Sequence, residues 1–131
     1  MNYLVDTGVV LWSVAEEHKL NARALDLLSS SASTLYLSTA SVWEIAIKYS
    51  LGSLLLHAEP QVFIPDVIRG MGMHALHINH THAIEAGRLP NHHRDPFDRM
   101  LIAQAREEEM VLLTADRVFR KYEVEQEFCG K

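Results

Sequence analysis

The chain has 131 residues, 48% hydrophobic and 22% charged, with a formal net charge of −5. That is one domain of ordinary size, able to bury a core, so the whole of residues 1–131 is read as a single unit. The acidic balance argues against a general nucleic-acid coat, which favours basic surfaces. No apolar run approaches the ~20 residues of a membrane helix. No basic-then-apolar secretion signal opens the chain. The lone Cys129 cannot form an internal disulfide, which fits a reducing cytoplasm.

In chain order, residues 3–5 form a short apolar run suited to a buried strand, ending at Asp6-Thr7. Residues 9–15 read as a helix, and a second helix runs from the N-cap Asn21 to Leu28. Residues 35–37 form the second strand. A stretch of cap formers, residues 38–41, leads into a helix to about Tyr49, closed by Gly52. Residues 60–69 form a short helix interrupted by Pro65. Residues 75–78 form a third strand and 81–86 a helix. After a loop over residues 87–94, Asp95-Pro96 opens the best helix of the chain, ending near Glu109. Residues 111–113 form the fourth strand, followed by Thr114-Ala115-Asp116 and a short helix to Tyr122. The alternation predicts an α/β fold with a central parallel sheet of four or five strands flanked by helices.

Four acids, Asp6, Glu44, Asp98 and Asp116, stand where a strand hands over to a helix. In a parallel sheet those positions share one edge, where ligands bind. Each acid also has a structural explanation. Ser41 to Glu44 fits a capping box, and Glu44 is spaced to pair with Lys48. Asp98 lies near the positive end of a helix capped by Asp95, and Asp116 is placed to cap the next helix. Asp6, directly after a buried strand, is the hardest to explain so. Asp98 shares its helical stripe with Leu101, Ile102 and Ala105, which turns it toward the sheet. A buried carboxylate requires a partner, and oxygen ligands suit hard cations such as Mg²⁺ or Mn²⁺. The four acids are therefore candidate metal ligands and catalytic groups. Removing their charge leaves the rest of the chain nearly balanced, so a nuclease is not excluded.

Six histidines, His74, His77, His80, His82, His92 and His93, crowd twenty residues. They are read as a polar rim rather than a zinc site, because His74 and His77 fall on opposite faces of a strand and no cysteine joins them. His92-His93-Arg94, together with Arg88, Arg99 and Arg117, are candidates for phosphate contacts. Trp12, Trp43, Phe63, Phe97 and Phe119 are expected in the core or an interface.

Asp6-Thr7, the run from Trp43 to Lys48 with Leu51-Gly52, the run from His93 to Ala103, and Thr114-Ala115-Asp116 with Phe119 resemble the successive motifs of the PIN domain. Within it, the chain is similar to the VapC-type toxins of bacterial type II toxin–antitoxin systems. The resemblance implies a Mg²⁺- or Mn²⁺-dependent endoribonuclease acting on RNA, usually a homodimer, held inactive by a cognate antitoxin. It carries the acidic site onto Asp6, Glu44, Asp98 and Asp116. Gly8 departs from the pattern, which commonly has Asn or His there. The rival readings are a catalytically silent PIN-like interaction module and a Mg²⁺-binding receiver domain. The receiver needs a paired acid beside Asp6 and a late lysine, neither of which is present.

Overall fold

The computed structural model describes every residue from Met1 to Lys131. Five strands form one sheet, all parallel: β1 (Asn2–Val5), β2 (Thr34–Ser38), β3 (Met73–Leu76), β4 (Val111–Thr114) and β5 (Gln126–Phe128), in the order β3-β2-β1-β4-β5. Six helices connect them: α1 (Thr7–Ala15), α2 (Ala22–Ser29), α3 (Thr39–Ser50), α4 (Pro60–Met71), α5 (His80–Arg88) and α6 (Pro96–Glu107). None of them is long and apolar enough to cross a membrane.

Strand alternation divides the core. Tyr3 and Val5 of β1 and Leu113 of β4 face a cluster built with Val9, Val10, Ala24, Leu27, Ile45 and Phe63. Leu4 and Leu112 face the other side, with Leu101, Ile102, Ala105, Phe119 and Tyr122. β1 and β4 are thus apolar on both faces, as central strands of a parallel sheet require. They are also the pair from which strand order runs outward in both directions, so the carboxyl edge between them is the crevice of the fold.

Four expectations shift. The third strand runs Met73–Leu76, two residues earlier than expected. Gly72, left-handed at φ 64°, stops α4 there, and the next residue, Met73, is buried and pairs with Leu35. The fifth strand carries Gln126 and Glu127, a short polar edge strand that escapes an apolar search. Helix α3 starts at Thr39, with Ser38 as its cap, accepting from the Ala40 amide at 3.0 Å. Glu44 therefore lies in the helix interior, which overturns the capping box at Ser41. Its pairing with Lys48 stands, at 2.7 Å. Helix α4 continues through Pro65 without a break.

Buried polar groups tie the helices together. The Ser38 hydroxyl donates to Gln104 Oε1 at 2.5 Å, and both residues are fully buried. His82, also buried, accepts the Asn79 amide on Nδ1 at 3.2 Å and meets Glu108 through Nε2 at 2.8 Å. Gln104→Leu strands the Ser38 hydroxyl in an apolar setting, and a lost partner of this kind costs about 1–3 kcal/mol. Urea unfolding of this variant is expected to show that loss. A change below about 0.5 kcal/mol, the scale of an ordinary surface substitution, contradicts it.

Candidate metal centre

Asp6 occupies the N-cap position of α1 and does not cap it. Its backbone is locked between strands and helix: the amide donates to Leu113 O at 2.9 Å, and the carbonyl accepts from Val10 N at 3.0 Å. Its buried carboxylate instead accepts the Thr114 hydroxyl on Oδ2 at 2.9 Å. Thr114 Oγ1 in turn accepts the Asp116 amide at 3.0 Å, so one hydroxyl binds the ends of β1 and β4 together.

Asp116 does cap: its Oδ1 accepts from Val118 N at 2.9 Å, opening the 3-10 turn Arg117–Lys121. Its other oxygen lies 2.9 Å from His93 Nε2. The same nitrogen lies 3.0 Å from Oδ2 of Asp98, the third residue of α6. Asp95 caps that helix through the Phe97 amide at 2.8 Å, as its sequence position predicts. Glu44 reaches the group from α3. Its Oε2 is held by Lys48, while Oε1 is buried with no hydrogen-bond partner. Asp6, Asp116 and Asp98 are thus joined through Thr114 and His93, and Glu44 adds its charge to Asp6 and Asp98.

Burial pushes the Asp98 carboxyl up to about 8, aided by the charges of Asp6, Asp95, Glu44 and Asp116. Burial likewise raises Asp6 to about 6; the Thr114 hydrogen bond opposes this, and Glu44 and Asp116 add to it. Lys48 is raised by its hydrogen bond to Glu44, with Asp95 and Asp98 contributing. The buried Cys129 thiol, pushed to about 12 by burial and also raised by Asp6, is not a nucleophile.

The loop over residues 89–94 that carries His93 is pinned from two sides. The Tyr122 hydroxyl accepts the amides of His92 and His93, at 3.1 and 2.8 Å, and donates to Pro90 O at 2.8 Å. The Arg99 guanidinium donates to the carbonyls of Ala86, Leu89, Pro90 and His93. Both terminal nitrogens are thus occupied by carbonyls, which turns Arg99 to holding the loop rather than to the expected phosphate contacts. Arg88 pairs with Glu85 at 3.2 Å, and Arg117 lies over the Phe128 ring at 4.5 Å. Arg94 is exposed on the pinned loop.

The six histidines do not gather at one centre. His74 packs on Tyr36 and His82 is a buried structural residue; His93 alone joins acids of the sheet edge. The direct contact of His93 with Asp98 and Asp116 was not readable from sequence. Its signal is local: the ring folds back two residues before the cap, accepting the Asp95 amide on Nδ1 at 3.2 Å. Of the aromatic residues, Phe63 and Phe119 are core, while Trp43 is 62% exposed and edge-on to Phe97 at 5.4 Å, outside the core.

The raised acids have a signed consequence. Unfolded, Asp6 and Asp98 titrate near 3.8; folded, they hold protons to about 6 and about 8. Between those values the folded state binds the extra protons. The stability contributed by these two groups is therefore fully present below about pH 4 and is lost as pH climbs through 6 and 8. Asp98, faced by Asp6, Glu44, Asp95, Asp116 and His93, governs the upper part of that window. Urea midpoints in EDTA at pH 5 and 8.5 are expected to drop for the wild type and to drop less for Asp98→Asn. A rising midpoint contradicts the burial of these charges.

The PIN domain profile matches residues 3–125. Ribonuclease VapC16 of Mycobacterium tuberculosis is 41% identical over 49 residues, a stretch covering 37% of this chain and about a third (35%) of that relative's length. Among solved structures, VapBC2 from Rickettsia felis, bound to a DNA fragment from its promoter, superposes with a TM-score of 0.75 at 15% identity, covering 98% of this chain and 99% of that one. The DNA-bound VapBC from Salmonella typhimurium gives 0.68 at 17% identity, covering 98% of each chain. At such identities the structural likeness speaks for the fold, and the profile speaks for the family: this chain belongs to the PIN domain family.

Proposed function

We propose that this chain is a Mg²⁺- or Mn²⁺-dependent endoribonuclease, the toxin of a toxin–antitoxin pair, with Asp6, Glu44, Asp98 and Asp116 as its acidic site. The observation that carries the reading is the unpartnered Glu44 Oε1, buried on the same edge as two acids whose protons are held abnormally tightly. An orphaned buried carboxylate oxygen is costly, and so are like charges out of water. A hard divalent cation relieves both, and every anionic group offered to it is an oxygen donor. The donor set therefore fits Mg²⁺ or Mn²⁺.

The residues divide the work by which oxygens they have free. Glu44 offers Oε1, and Asp6 and Asp98 each offer Oδ1. Asp116 has one oxygen taken by Val118 N and the other by His93, so it has none free while the imidazole stays in place. When bound, a divalent ion in such a site polarises a phosphoryl oxygen and lowers the pKa of a bound water. Asp6, at the start of α1, and Glu44, on the adjacent α3, would hold that ion, and Lys48, half-exposed beside Glu44, places positive charge at the mouth for an approaching phosphate. The substrate is RNA with exposed single-stranded loops. The similar proteins, a ribonuclease and VapBC complexes, support the nuclease and the antitoxin partner. The exposed apolar side chains of Trp43, Leu51, Leu55 and Val62 support protein partners, an antitoxin and a second copy in a homodimer.

The test is cleavage of a purified tRNA and rRNA panel by the antitoxin-free protein. Cleavage is expected with Mg²⁺ or Mn²⁺ and not in excess EDTA. Asp98→Asn is expected to keep the fold and lose about 10²–10³-fold in rate, the scale of one preorganised electrostatic group. Full activity in EDTA, or in that variant, overturns the proposal.

A further inference from the structure

We propose that His93 is a displaceable stand-in for the cation: its Nε2–H bridges Asp98 and Asp116 in the metal-free protein, and metal entry drives the ring off these oxygens rather than recruiting it as a ligand. The inference rests on the metal-site reading above and adds to it a residue that works against loading.

The geometry assigns the proton. Asp95 N–H points at His93 Nδ1 from 3.2 Å, so Nδ1 is the acceptor nitrogen and the ring proton sits on Nε2. That N–H faces two carboxylates at once, Asp116 Oδ2 at 2.9 Å and Asp98 Oδ2 at 3.0 Å. A donor there does the cation's work, drawing together acids that otherwise repel.

Acting as a metal ligand requires the other tautomer. Nε2 would give up its proton and Nδ1 would carry one, facing the Asp95 amide donor to donor. The pinned backbone makes this hard to relieve by shifting the loop, because Tyr122 holds the His93 amide at 2.8 Å and Arg99 holds its carbonyl. The ring has another way out. It is partly exposed and rests tilted on Phe119 at 5.8 Å, so side-chain rotation frees the oxygens while the backbone stays in place. The device also bears on metal choice. A histidine with two aspartates suits zinc. With Nε2 proton-bearing, the seat offers oxygens alone, the set preferred by Mg²⁺ and Mn²⁺.

The experiment is Mn²⁺ titration by calorimetry on the full chain, wild type and His93→Ala, with melting curves in EDTA. Removing the competitor is expected to tighten Mn²⁺ binding about tenfold, about 1.4 kcal/mol. It is also expected to lower the melting temperature in EDTA and to enlarge the gain on adding Mn²⁺. Electron spin-echo spectra of the Mn²⁺-loaded wild type are expected to lack modulation from a directly coordinated imidazole nitrogen, and this decides the question even if the variant fails to fold. Weaker binding in His93→Ala, or a coordinated nitrogen in the wild type, makes His93 a ligand and overturns the proposal. Equal affinities make it a bystander and also overturn it. A wild type that binds no Mn²⁺ fails differently, removing the metal reading and the stand-in together.

Discussion

Repulsion among carboxylates gathered at the end of β1 and β4 is the constraint on which the local structure turns. The fold brings them there because β1 and β4 are adjacent and both run into the crevice edge. Burial then makes each charge expensive, and Asp98 and Asp6 respond by holding protons to about 8 and about 6. The surrounding polar groups answer the same repulsion. Thr114 donates to Asp6, Lys48 to Glu44, and His93 to Asp98 and Asp116. Each supplies a donor to one or two acids, and Glu44 Oε1 remains without one.

A repulsive site needs rigid walls, and the protein builds them from main-chain contacts. Arg99 takes four carbonyls at the end of α5 and along the following loop, and Tyr122 clamps the same loop with one hydroxyl. Helix α6 thus carries a functional candidate, Asp98, and, one residue later, the cation that fixes the loop opposite it. Asp95 has two structural duties, capping α6 with its side chain and orienting His93 with its amide. The short run from His93 to Arg99 is in this sense a single device: two acids, a capped helix start, an aimed imidazole and a loop staple.

Much of this is legible in the sequence. The β-α alternation predicted the parallel sheet, and the apolar runs at residues 3–5 and 111–113 located its two central strands, because strands buried on both faces are continuously hydrophobic. The stripe shared by Asp98 with Leu101, Ile102 and Ala105 correctly turned that acid inward. What failed was short-range or edge-dependent. β5 is polar because it is an edge, and β3 starts at Met73 because Gly72 adopts a left-handed turn that spacing alone does not reveal. The Ser41 capping box failed because Ser38, three residues earlier, competes for the same role and wins through the Ala40 amide. Arg99 and His93 were both candidates for phosphate contacts. Their distinct fates depend on where a loop folds back, a property of tertiary structure that residue type does not carry.

The misplaced cap has a consequence for how Glu44 is understood. An acid in a first helical turn is stabilised by the helix dipole and by its own cap. Glu44 has neither, since it sits in the sixth position of α3 and is buried. Its one compensation is Lys48, a half-exposed partner whose worth is reduced by solvent. A stability-driven choice at such a position is a neutral apolar residue, like its neighbour Ile45. Asp6 makes the same point, standing at a helix cap position without capping. Both acids decline the structural roles open to them, on two helices packed on the same face of the sheet, and neither is a choice that folding stability explains.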